Sequence, residues 1–179
     1  TVIADDHGGV SCSQYISTSA GVTTITKATA AALRNVIAVT PSGDGTGGAS
    51  DANTYQIATG ESGATFVVNI ATNTAGFRLP APVAGLNYKF ILAHASDAEA
   101  TKDLILSSSG NAVNILGAAN DGGGVHDHDE DTSVVSLDTS DGAAGAGDRF
   151  GVISDGTHWY LEDAMALTAG AFNSADNAI

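Results

Sequence analysis

From residue 54 onward the chain alternates short apolar runs with clusters of Gly, Asp, Asn and Ser. The runs are "TYQIAT", "TFVVNIAT", "NYKFILAHA", "DLILSS", "AVNILGA", "TSVVSLD", "RFGVIS" and "THWYLED". Short stretches rich in Val, Ile, Leu and aromatics, bounded by turn formers, predict strands. Their regular spacing predicts an all-β protein, a compact antiparallel β-sandwich or barrel. Upstream, "GVTTITKA" alternates like another strand and "NVIAVT" reads as a buried one. Between them "ATAAALRN" predicts one short helix, because Ala and Leu dominate it and no β-branched residue follows Thr29 until Val36.

The punctuation is as informative as the runs. In "GDRFGVISDGTHWYL" two strand-like runs flank Asp155-Gly156, a pair suited to a type I′ hairpin turn. On the second strand Trp159 and Tyr160 point to opposite faces, so one anchors the core and the other meets solvent. The stretch 41–53, "PSGDGTGGASDAN", is expected to be a long flexible loop, and 118–131 another, both well beyond the ~4–6 residues typical of connections. Residues 1–21 read as an extended N-terminal arm, 22–163 as a β-rich body and 164–179 as a C-terminal tail that orders against a partner.

Composition narrows the function classes. Twenty carboxylates oppose six basic residues, a formal net charge of -14. Nucleic-acid binding needs clustered cations, and here Lys27, Arg34, Arg78, Lys89, Lys102 and Arg149 are scattered, so no nucleic-acid partner is expected. The same charge argues against an anionic membrane surface, and no apolar run approaches the ~20 residues of a spanning helix. The opening "TVIADDHGGVSCSQ" lacks the basic start and apolar stretch of a secretory signal, and Thr1 suits removal of an initiator methionine. Cys12 is the single cysteine, which excludes an internal disulfide and a four-thiolate zinc site.

Candidate chemistry concentrates in "DGGGVHDHDEDTSVV", residues 121–135. In an extended backbone His126 and His128 share one face while Asp127, Asp129 and Asp131 share the other. These five are the candidate ligands for a structural divalent cation. The three aspartates have the spacing that opens a calcium loop, but Thr132 stands where such a loop needs Gly, and a strand follows instead of a helix. A solvated loop is therefore the expectation here, and no cofactor is required. "GDGTGG" matches a dinucleotide fingerprint at Gly43, Gly45 and Gly48, but no helix follows to receive a pyrophosphate. There is no G-x-S-x-G elbow and no other enzyme signature, so the chain is read as a non-enzyme.

The segments "FRLPAPVAGLNYKFIL", "LILSSSGNAVNILGA" and "GAGDRFGVISDGTHWYLED" together resemble a recurrent β-module of tailed-bacteriophage virion proteins. The likeness covers about half of the chain, from residue 77 to 163, and its most specific part is the final hairpin. Such modules occur in capsid decoration (cement) proteins and in tail or fibre proteins. A single module with no coiled-coil stalk or collagen-like repeat favours the head. The resemblance then implies a cement protein on the outer surface of the virion capsid, with the major capsid protein as partner, and self-association as a homotrimer. Its arm, with Thr1, Val2, Ile3, Tyr15 and Ile16, would add to the capsid lattice. The alternative is a receptor-binding or adhesion module at a tail or fibre tip.

Overall fold

The structure is a computed structural model that describes residues 35–70, 73–94, 102–110, 113–128, 132–139 and 144–175. The expected arm, the strand "GVTTITKA" and the helix before Asn35 lie outside the described residues, as do Thr1, Val2, Ile3, Tyr15 and Ile16. Within the described body there are twelve strands: β1 (Val36–Val39), β2 (Tyr55–Gln56), β3 (Thr65–Asn69), β4 (Ala75–Arg78), β5 (Asn87–His94), β6 (Asp103–Ser107), β7 (Ile115–Asp121), β8 (Gly124–His128), β9 (Val134–Asp138), β10 (Arg149–Ser154), β11 (Trp159–Met165) and β12 (Phe172–Ala175).

They form an all-β sandwich of two sheets. One has the order β1-β3-β5-β10-β11-β7-β8, and the other β12-β9-β6-β4-β2. Both sheets are open, so the fold is a sandwich and not a barrel, and the pairing is mixed instead of antiparallel throughout. Pairs β1–β3, β3–β5, β2–β4, β4–β6 and β7–β11 are parallel. The reason lies in the chain path. From β1 to β6 successive strands alternate between the sheets, so the chain returns to each sheet travelling in its former direction. Alternation of apolar and polar positions reveals which face a strand buries but not its direction, which is why the sequence pattern missed this.

The core follows the strand period. In β3 Phe66 and Val68 are buried while Thr65, Val67 and Asn69 are only partly covered. All five phenylalanines of the chain join one continuous contact across both sheets. Phe66 stacks on Phe90 at 5.2 Å, Phe77 meets both, Phe90 stacks on Phe150 at 5.0 Å, and Phe150 reaches Phe172 at 6.4 Å. Offset and edge-on pairs of this kind add roughly 0.5–1.5 kcal/mol each to the burial itself. Phe172 belongs to β12, so the stretch expected as a C-terminal tail contributes an edge strand and a core residue to the sandwich. Trp159 is fully buried against Tyr88, with ring centroids 5.7 Å apart, whereas Tyr160 is exposed.

Three expectations are corrected. β1 is an edge strand and half open, with Val36 at 56% exposure, where burial was expected. The stretch 41–53 is pinned in place. Asp44 accepts the Thr74 N–H at 2.8 Å and Asp51 accepts the Thr46 N–H at 2.7 Å, while the Ser107 hydroxyl donates to the Gly47 carbonyl. Gly45, Gly47 and Gly48 are buried, and the space beside Gly76 is filled by the Gly47 and Gly45 backbone, so these glycines serve close packing of loop on strand. Over residues 118–128 the expected loop is instead an antiparallel hairpin of β7 and β8.

The β10–β11 hairpin is present, but its turn differs from the two-residue type. Ser154 pairs with Trp159, leaving residues 155–158 as a four-residue connection. Asp155 caps it by accepting the Thr157 and His158 N–H groups at 2.7 and 2.8 Å, and Gly156 takes φ +102. Asp at the start and Gly at the left-handed position serve this longer turn as well as the short one.

Candidate functional site

The histidine-rich stretch is placed by β8, an edge strand whose partner β7 is held on its other side by β11. Pairing sets Ala119 opposite His126, Ala118 opposite Asp127 and Gly117 opposite His128. Alternation along β8 puts His126 and His128 on one face, as the extended reading required. His128 is buried, His126 is part-exposed, and Asp127 is exposed on the other face. Asp129 and Asp131 lie outside the described residues. Of the five candidate ligands, then, the strand brings His126 and His128 to one face and sends Asp127 away. Among the described residues no group of three or more His, Cys, Asp or Glu side chains is arranged to hold a metal ion.

What meets His126 is a residue not counted among the candidate ligands. Its Nε2 stands 2.8 Å from Asp121 Oδ2, and the Asp121 carboxylate has no exposed surface. That carboxylate also accepts the Gly123 N–H at 2.8 Å and the Gly170 N–H at 2.9 Å. Burial alone would raise Asp121. The N–H groups of Gly123, Gly170 and Phe172, together with the His126 imidazole, outweigh it and hold the acid below the usual carboxylate range. Asp121 therefore fastens the β7–β8 turn to the segment that leads into β12. Gly122 is needed at the same place, since a side chain there would run into the Leu167 carbonyl. The sequence signal was the Asp followed by glycines, which favours a turn closed by the Asp side chain.

A second acid plays a similar part at the start of the β10–β11 unit. Asp148 is buried, accepts the Gly145 N–H at 2.8 Å and the Leu167 N–H at 3.3 Å, and follows Gly147, whose φ is +98. Arg149 beside it pairs with Asp163 at 3.0 Å.

A groove of about 260 Å³ lies where β1 and the 41–53 segment meet β2 and β4, lined by residues such as Val39, Pro41, Asn53, Tyr55 and Phe77. Tyr55 donates to Glu61 at 2.6 Å, and that bond, reinforced by burial, pushes its phenol up to about 12. A phenol held so firmly protonated is no base at neutral pH. Asp44, in the same 41–53 segment, is engaged with Lys102 at 2.8 Å. Of the groove's other polar side chains, Asn53 donates to the Asp44 carbonyl at 3.1 Å and Thr54 accepts the Gly47 N–H at 3.1 Å.

No protein-family model matches the chain, and no curated protein matches it.

Proposed function

We propose that this chain is a non-enzymatic structural protein of a virion, a capsid decoration (cement) protein that binds the outer surface of a tailed-phage head and stabilises it against internal DNA pressure. The observation that carries the reading is the work done by the residues of the resembling segments. Gly147 and Asp148 build the entry to β10, Asp155 and Gly156 build the turn, and Trp159 fills the core. "NYKFIL" and "RFGVIS" are adjacent central strands of the larger sheet. Motif residues spent on turns and core suit a rigid scaffold that presents surfaces, not one that assembles a reaction centre.

The rest of the proposal follows from what a cement protein must do. It ties neighbouring capsomers together by several weak contacts at once, which a homotrimer with three arms supplies through multivalency. Strand addition by residues 1–21, with Thr1, Val2, Ile3, Tyr15 and Ile16, would provide main-chain hydrogen bonds to the major capsid protein. The acidic surface keeps particles dispersed.

The test is the copy number of this chain relative to the major capsid protein in purified particles, by quantitative mass spectrometry. A ratio near one, or a simple fraction of one, is expected. A handful of copies per particle would overturn the head location and leave the receptor-binding or adhesion reading at the tail or fibre.

A further inference from the structure

Asp103 at the start of β6 and Asp138 at the end of β9 are direct cross-strand partners on the outward face of the smaller sheet. Like charges at opposed positions destabilise a ladder, so this pairing calls for an explanation. The surroundings supply little compensation. Asp103 Oδ1 is shielded from solvent and has no hydrogen-bond partner. The Asp103 N–H is satisfied by Thr74 Oγ1, just before β4, at 3.3 Å, and Asn173 from β12 donates its amide to Asp138 Oδ2 at 2.9 Å, so the groups brought from either side are neutral. The adjacent cation, Lys102, is turned to Asp44, with both carboxylate oxygens at 2.8 Å. Asp138, directly opposite in the ladder, is thus the charged group that acts on Asp103.

We propose that Asp103 and Asp138 share one proton across the β6–β9 ladder and form an acid-closed clasp on the smaller sheet. With the proton present, one carboxyl donates to the other and the strands are cross-linked. With it gone, two carboxylates repel at the same place, and β9, which alone carries the edge strand β12 in this sheet, is loosened from β6. The inference is independent of the virion reading.

The electrostatics agree in direction. Burial, and then the Asp138 charge, push Asp103 up to about 6 against an opposing bond from the Thr139 N–H. An acid raised in the folded state binds more protons folded than unfolded over the interval between the two values. Its contribution is therefore full below the ordinary carboxylate range and is lost as pH rises through about 6. With an unfolded value of ~3.9, a folded midpoint of about 6 changes the folding equilibrium constant about tenfold between about pH 5 and about pH 7.

The experiment is urea unfolding of the full chain at about pH 5 and about pH 7, with chelator present, for wild type and Asp103→Asn. The amide imitates the protonated acid. Wild type should be about tenfold more stable, as an equilibrium constant, at the lower pH, with the variant showing little change and matching or exceeding wild type at the higher one. Parallel behaviour of the two proteins would overturn the clasp. If the variant does not fold, a carboxyl ¹³C titration of the wild type decides: an Asp103 midpoint near 6 supports the shared proton, and one in the ordinary carboxylate range sinks it.

Discussion

His126 donates to Asp121 at 2.8 Å, and the acid it reaches is wholly shielded while the imidazole is 40% exposed. The pair joins the tip of the β7–β8 hairpin to the segment entering β12, because the same carboxylate collects the Gly123 and Gly170 N–H groups. Removing Asp121 takes away the acceptor that holds the Gly123 and Gly170 N–H groups together and the partner of His126. Asp121→Ala should cost about 3 kcal/mol, read as a lower urea midpoint at neutral pH.

The pH sense at Asp121 is opposite to that at Asp103. Asp121 is held below the usual carboxylate range, so its contribution is present above the unfolded-state value of ~3.9 and disappears as pH falls below it. Asp44, Asp51, Asp155 and Asp163 are depressed likewise. Acid unfolding should therefore set in below about pH 4, and Asp121→Asn should flatten that limb of a melting-temperature profile and lower the whole profile above about pH 5, where the wild-type carboxylate contributes in full.

Close packing at glycine predicts a different kind of loss. A methyl at Gly76 would meet the Gly47 backbone nitrogen, which cannot rotate away. Gly76→Ala should destabilise by about 2–3 kcal/mol, whereas Gly110→Ala, facing open space, should stay within about 0.5 kcal/mol. Parallel thermal melts of the two variants make the comparison.

For the hairpin, Gly156 at φ +102 accepts no side chain without strain, and Gly156→Ala should cost about 1 kcal/mol or more. Hydrogen exchange of the β10–β11 amides should report the loss locally.

The cation question has a direct readout. His126 Nε2 is committed to Asp121, and Asp127 lies on the opposite face from both histidines. Zinc or calcium should leave the melting temperature unchanged, since a ligand that binds only the folded state must raise it. A clear rise would show that a cation binds the folded chain.

Much of the architecture was legible because each run from "TFVVNIAT" to "THWYLED" contains a strand. The strands that escaped notice are those with weak apolar signal. β4 is "AGFR", where Gly76 is present for the loop packed on it, and β8 is "GVHDH", an edge whose charged residues resemble a loop. β12 was hidden by its small polar neighbours, with Phe172 the one large apolar residue to mark it. At the candidate site the shared face of His126 and His128 was readable from strand period, but the importance of Asp121 was not. Its partner Gly123 is two residues further on, but Gly170 is 49 residues away. The Asp103–Asp138 pair was invisible for the same reason, since register between β6 and β9 is a tertiary fact.

The strand order also limits what the earlier part of the chain can pair with. In the larger sheet β10 and β11 stand between β5 on one side and β7 on the other, so all that is synthesised before Arg149 leaves that sheet in two separate ribbons, β1-β3-β5 and β7-β8. Each ribbon would present an unpaired edge, the state most prone to wrong association. The last long hairpin is thus the keystone of the sheet. A chain cut short before it cannot close its own body, and long-range pairings made this late place the molecule among slow folders.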